Sequence, residues 1–153
     1  LAACGGAMGV KLALADLLKP GGAAAARGAD GEAFAPWALG ARRGGGVGLV
    51  ALAGQTDAEG RHLSSTMLAG CRARETGQFQ PYRGADEARA CLNAAPGISP
   101  SRAIVGEAEH VARALNAKAQ EAGADELFLL TIAETLQARL ASYALIEAAL
   151  AAL

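Results

Sequence analysis

Apolar residues fall along this chain in two patterns. Three runs are continuous or nearly so: VKLALADLL at 10–18, GVGLVALAG at 46–54 and ELFLLTI at 126–132. An unbroken apolar run too short for a helix core predicts a strand covered on both faces, as in a parallel sheet. For 10–18 the Leu and Ala content favours helix by propensity, so helix stays open as its alternative.

The other pattern has helical spacing. From Thr56 to Glu75 a capping residue and early acids suit a helix N-terminus, and Leu63, Met67 and Cys71 recur every four residues. Gly60, Ser64 and Gly70 weaken it. From Glu107 to Ala122 an apolar stripe of Val111, Leu115, Ala119 and Ala122 follows Glu107 and Glu109, and Gly123 supplies the stop. From Glu134 to the end, Leu136, Leu140, Tyr143, Ile146 and Leu150 form a stripe that predicts packing on a neighbouring layer. A short helix is expected at 86–92. The glycine-punctuated stretch 20–46 and the stretch 77–102, with three of the five prolines, read as loop-rich insertions.

Strand and helix alternation points to an α/β fold of β/α units with right-handed crossovers, common to open sheets and to eight-stranded barrels. A closed barrel takes about 250 residues. The 153 residues suit a single domain, 1–153, holding about the last three β/α units of a partial (β/α)8 barrel once the resemblance below is added.

Charge changes the picture by exclusion. Fourteen Lys and Arg against fifteen Asp and Glu leave no field to gather nucleic acid or anionic lipid. Aromatic residues at 4% are too few for stacking platforms. A small-molecule or protein partner is expected. Cys4, Cys71 and Cys91 are widely spaced, which indicates a reducing, cytoplasmic setting without a disulfide framework or zinc clip. The longest apolar run, 148–153, is far below the roughly 20 residues that span a bilayer. LAAC at 1–4 matches the box before a lipid-modified cysteine but has no leader, and the absence of Met at position 1 suggests a processed chain or a fragment.

Candidate chemistry is sparse. Asp16 ends the first apolar run, where a carboxylate meets a ligand or caps a turn. His62 and His110 lie on separate helices without metal-ligand spacing, and read as surface or boundary residues. Ser64 and Ser65 lack the nucleophile-elbow turn and read as helix surface. Gly44, Gly45, Gly46 and Gly48 precede a strand, whereas a phosphate loop follows one, so they read as flexible linker. Arg42 and Arg43 are expected to be solvated, and Trp37 and Tyr82 to anchor loops.

One longer stretch, IVGEAEHVARALNAKAQEAGADELFLLTIAETLQARLASYALI at 104–146, resembles the C-terminal end of the bacterial luciferase-like family of flavin- and deazaflavin-dependent oxidoreductases. The matching positions are Ile104, Val105, Gly106 and Val111, then Gly123 to Leu127, Thr131 and Ile132, then Ala138, Arg139, Leu140, Ser142 and Tyr143. Residues 46–82 are similar to that family's seventh strand and following helix, and 1–22 to its fifth helix and sixth strand. The chain departs from the family at Asp16, where Ser or His is usual, and near Ala51, where Asn is frequent. The resemblance implies a barrel monooxygenase or oxidoreductase with FMN or deazaflavin at the C-terminal mouth, a small-molecule substrate, and Asp16 and Thr131 as cofactor-binding positions. Thr131 would donate to a flavin carbonyl, or start a helix. It also implies catalytic residues outside this sequence, and as partner a homo-oligomer or a missing N-terminal barrel half. The alternative is a non-catalytic α/β binding or assembly module that pairs its strand edges with another chain.

Overall fold

The computed structural model describes residues 1–16, 22–36, 42–78, 80–94 and 103–153. In chain order the elements are α1 Ala2–Ala7, β1 Leu12–Leu14, α2 Ala23–Ala33, β2 Gly45–Gly54, α3 Asp57–Glu75, α4 Ala85–Asn93, β3 Ile104–Glu107, α5 Ala108–Ala122, β4 Glu126–Leu130 and α6 Leu136–Ala151. The fold is α/β. β1 and β3 pair with β2 in parallel, β4 also pairs with β2, and the sheet is open. Leu17 and Leu18 of the expected first strand, Trp37, and Pro96 and Pro100 of the proline-bearing loop lie outside the described residues.

The chain divides into two compact units. The first comprises 1–49 and 115–130. Here β1 is only three residues long, in register from Leu12 with Gly45 to Leu14 with Val47. Val47, Leu49, Leu115 and Ala122 are buried in this unit, each large apolar side chain worth about 1.5–3 kcal/mol on burial. The linker reading of the glycines is corrected: Gly45, Gly46 and Gly48 belong to buried β2. They are small because neighbours occupy the side-chain space. A Cβ on Gly45 would lie 3.1 Å from Arg27 Cζ, and one on Gly46 would lie 3.0 Å from Phe128 Cδ2.

The loop reading of 20–46 is corrected as well, since α2 occupies Ala23–Ala33. Its alanines outweigh two helical glycines. Buried Arg27 donates to the Gly123 carbonyl at 2.6 Å and stands 3.6 Å from Asp125. Arg42 and Arg43 are exposed as expected, and Arg43 in addition bonds buried Asp30 at 3.2 Å and the Arg27 carbonyl. α5 stops as expected, with Gly123 at φ +58 and Ala124 N–H reaching the Ala119 carbonyl at 2.9 Å.

β4 is a strand, but the expected cover on both faces is not found. Its exposure alternates, with Phe128 at 51% and Leu130 at 44% on the open face. No described element of this unit lies over that face, and the Phe128 ring leans across Gly46 instead.

The second unit comprises 50–114 and 131–153. Ala51, Leu52 and Ala53 are at most 1% exposed, and β3 pairs from Ala51 with Ile104 to Gly54 with Glu107. β3 is a strand that the hydrophobic pattern did not mark, and it takes Glu107, so the helix expected from Glu107 begins at Ala108. Thr56 caps α3 by accepting from Glu59 N–H at 3.2 Å, while Glu59 accepts the Gln55 N–H at 2.7 Å. Met67 is buried as its stripe predicts. Ser64 and Ser65, expected on the surface, are 1% and 3% exposed and donate to the Arg61 carbonyl, which satisfies their hydroxyls internally. α4 is present, and its first N–H, from Ala85, is taken by Glu134 at 2.9 Å. α6 starts two residues later than expected, at Leu136 with Thr135 as its cap. Its Leu136 and Leu140 do not pack on a neighbouring layer among the described residues, being 60% and 56% exposed.

Candidate functional site

In open and closed α/β sheets, ligands meet the C-terminal ends of the strands. In the second unit those ends are Gly54 of β2 and Glu107 of β3, with the N-terminal turn of α3 set against them. Three glycines allow that approach. A Cβ on Gly54 would sit 2.5 Å from Gly60 N, one on Gly60 would sit 2.8 Å from the Gly106 carbonyl carbon, and one on Gly106 would sit 2.6 Å from Asp57 Oδ1. Gly106 also has φ +152, which L side chains rarely adopt.

The close approach brings Asp57, Arg61, Glu107 and His110 together. Arg61 donates to Asp57, and this bond, with smaller help from the Glu107 backbone N–H and His110, holds the Asp57 carboxyl below its ordinary value. His110 is exposed; His62, half-buried, lies 3.8 Å from Asp86. Beside this cluster a groove of about 240 Å³ opens between the N-terminal turns of α3 and α6. Ala53, Leu63, Ala141 and Leu145 wall it, with Gln55, Glu59 and Gln137 on its polar side.

Thr131 is 2% exposed and donates its hydroxyl proton to the Ala51 carbonyl at 2.7 Å. Its one proton is thus directed at β2, leaving only acceptor capacity. It does not start a helix. Ser142, which the sequence reading matched to the family but gave no role, is fully buried on α6 and accepts the Ala53 N–H at 2.9 Å. Alternate residues of a strand point their backbone groups to the same edge. Thr131 and Ser142 therefore engage one edge of β2 with their hydroxyls.

In the first unit Asp16 is half-buried in the turn after β1. It lines a cavity of about 30 Å³ with Val47, Leu49, Lys118 and Glu121, room for about one water. Lys118 bonds Glu121 at 2.7 Å; that bond chiefly, and Asp16 more weakly, raise the lysine pKa. The structure thus places Asp16 and Thr131 in different units and describes no shared site for them. Among the described residues no three His, Cys, Asp or Glu side chains are grouped to hold a metal ion, and no helix is long and apolar enough to cross a membrane.

A flavin mononucleotide needs a wall for its ring and an anchor for a phosphate dianion. Ligand pockets of that class run to about 300–1,000 Å³, above the 240 Å³ groove. A phosphate at the α3 N-terminus would meet Asp57 and Glu59, which already occupy its positive end. Among the described residues, this groove of the second unit does not fit the whole cofactor.

No protein-family model matches the sequence, and no curated protein matches it. Solved structures do. The crystal structure of apo-MsnO8 is similar over 97% of this chain at 26% identity with a TM-score of 0.88. A type II Baeyer–Villiger monooxygenase, the oxygenating constituent of 3,6-diketocamphane monooxygenase from Pseudomonas putida in complex with FMN, is similar over 99% at 14% identity with a TM-score of 0.59, a likeness of fold alone. This chain covers 47% and 44% of those chains, about half the length of each.

Proposed function

We propose that this chain supplies the C-terminal β/α units of a luciferase-like, FMN-dependent monooxygenase whose complete form is a closed β/α barrel. The observation that carries the reading is the 0.88 TM-score with apo-MsnO8 across nearly the whole chain at 26% identity. The FMN bound to the second neighbour favours FMN over deazaflavin. The reaction class is insertion of one atom of dioxygen into a small organic substrate, the other leaving as water with two electrons and two protons from reduced flavin.

Within that reading the described residues have a structural share of the work. Ala51, Leu52 and Ala53 give a dry, unreactive stave, and hydroxyls from Thr131 and Ser142 hold it in line. Asp16 and Thr131 remain the positions in this chain proposed nearest the cofactor, Thr131 as an acceptor. The acid, base and phosphate-binding groups belong to the other units of the barrel. A partial site cannot hold a cofactor in reacting geometry.

The test uses the 153-residue chain alone and the same chain co-expressed with the portion of apo-MsnO8 that it does not match. The chain alone is expected to lose FMN on gel filtration and to form no carboxylic acid from an aldehyde when reduced flavin and oxygen are supplied. Stoichiometric FMN and turnover by the chain alone would contradict the partial-site reading. Failure of the assembled pair to retain FMN would contradict the flavin reading.

A further inference from the structure

The first half of β2 and the whole of β4 carry little side-chain information about how they align. β2 opens with Gly45, Gly46, Val47 and Gly48. β4 is apolar on both faces, with Leu127 and Leu129 on one and Phe128 and Leu130 on the other. Sliding a strand by one residue exchanges its faces, which a one-sided apolar pattern resists and a glycine-rich or two-sided one does not. Side-chain pattern therefore leaves the alignment open.

A polar cluster stands at the start of both strands, within the first unit. Asp125, immediately before β4, accepts the Gly45 N–H on its carboxylate at 2.9 Å and donates its own N–H to the Gly45 carbonyl at 2.8 Å. Arg27 stands 3.6 Å from the same carboxylate oxygen and donates to the Gly123 carbonyl at 2.6 Å. The guanidinium fits because Gly45 has no side chain: a Cβ there would collide with Arg27 Nη1. Stability does not explain this burial. Among the described residues, buried Arg27 has no hydrogen-bond partner at Nε and Nη1, and fully buried Asp30 has none at Oδ1. Unpaired buried polar atoms cost free energy, and a buried ionic group is often no better for stability than an apolar one of its size.

We propose that Arg27 and Asp125 form a clasp that sets the register of β2 against β4, with Arg27 as a positioning residue acting through the Asp125 carboxylate on Gly45. The inference stands apart from the function proposed above. The Asp125 side chain is 62% exposed, and buried Arg27 keeps it aimed at the strand. Arg43 in turn bonds Asp30 and the Arg27 carbonyl, which fixes the stretch of α2 that carries Arg27. The clasp rejects both kinds of slip. A slip of one residue presents Gly44 or Gly46, whose backbone groups point to the opposite edge of the strand. A slip of two presents Arg43 or Val47, whose Cβ would take the place of the guanidinium.

Nuclear magnetic resonance on the 153-residue chain reads the register. The Phe128 ring lies against Gly46, so the nuclear Overhauser effect between ring and Gly46 Hα protons marks the alignment, and hydrogen exchange of the Gly45 amide marks the clasp. Arg27→Met should lower Gly45 protection by roughly tenfold, the scale of a hydrogen bond to a charged group, and Asp125→Ala by at least as much. In both, the Phe128 contact should spread from Gly46 to neighbouring residues of β2 while the Leu49 amide keeps its protection. The urea midpoint of Arg27→Met should hardly move, because Asp30 keeps Arg43 and the exposed Gly123 carbonyl is open to water. Asp125→Asn, still an acceptor, should recover part of the Gly45 protection. Lys11→Ala, which deletes the exposed 2.9 Å pair with Glu126 at the same strand ends, should change neither signal. Two results would overturn the clasp: an unaltered Gly46 contact and Gly45 protection in Arg27→Met and Asp125→Asn, or a uniform loss of protection along β2 and β4 that follows the urea midpoint, which makes Arg27 a stabilising residue without a say in register.

Discussion

Gly60→Ala sets two known effects against each other. Gly60 is the fourth residue of α3, and in an unobstructed helix Ala is favoured over Gly by about 1 kcal/mol. Here the added methyl would lie 2.8 Å from the carbonyl carbon of Gly106 and closer still to its oxygen. Carbon atoms rest at about 3.5–4.0 Å, so the helix and β3 must part by roughly 1 Å. Both obstructing atoms are backbone, so no side chain can swing aside. Overpacking of this kind costs about 1–3 kcal/mol, and parting the elements also loosens the Asp57 bond to the Glu107 N–H. The clash outweighs the propensity gain, and we expect a net loss of about 1–2 kcal/mol. Gly28→Ala is the matched control. It lies inside α2 with nothing within 4 Å of a new Cβ, so it should stabilise by about 0.5–1 kcal/mol. Urea unfolding followed by circular dichroism reads both as opposite shifts of the midpoint at constant slope. A Gly60→Ala protein as stable as the parent would refute the close-approach argument.

Ser142→Ala leaves the Ala53 N–H unpaired in a fully buried site and should cost about 1–3 kcal/mol. Thr131→Val, which keeps the shape, should lower stability less, by about 1 kcal/mol; equal and negligible effects in urea titrations would show that the hydroxyls do not hold the strand. Asp57→Asn tests the electrostatics. Because Arg61 holds the folded Asp57 carboxyl below its ordinary 3.8, its stabilising share is complete above that value and disappears as pH falls through the lowered one. The gap between parent and variant in thermal unfolding should therefore be present at neutral pH and close in acid. A gap that stays constant would exclude the ion pair as its source.

Signals that act within a few residues were legible in the sequence. Thr56 as a cap, Gly123 as a stop and the burial of Met67 on α3 stand as read. What failed depends on residues far apart in the chain. Gly45 and Gly46 look like linker until Arg27 and Phe128 are seen occupying the space their side chains would need. Ile104 to Gly106 carries no strand signal of its own, because the pairing that makes it a strand comes from Ala51 to Ala53, about fifty residues earlier. The two-sided cover expected of β4 failed for a related reason: apolar composition records that a face seeks cover, not that this chain provides it. The same holds for α6. Asp16 lies in the turn after β1, Thr131 is engaged by β2, and the burial of Ser142 carried no signal because a buried serine on a helix is indistinguishable by spacing from an exposed one.

The hydroxyl pair on β2 has a consequence for colloidal behaviour. A foreign peptide approaching Ala51 and Ala53 from that side finds the carbonyl and the amide already engaged, and would have to evict two buried side chains before gaining one backbone bond. That stretch is thereby guarded against fibril-like growth by ordinary serine and threonine chemistry, with no charge or proline spent on the task.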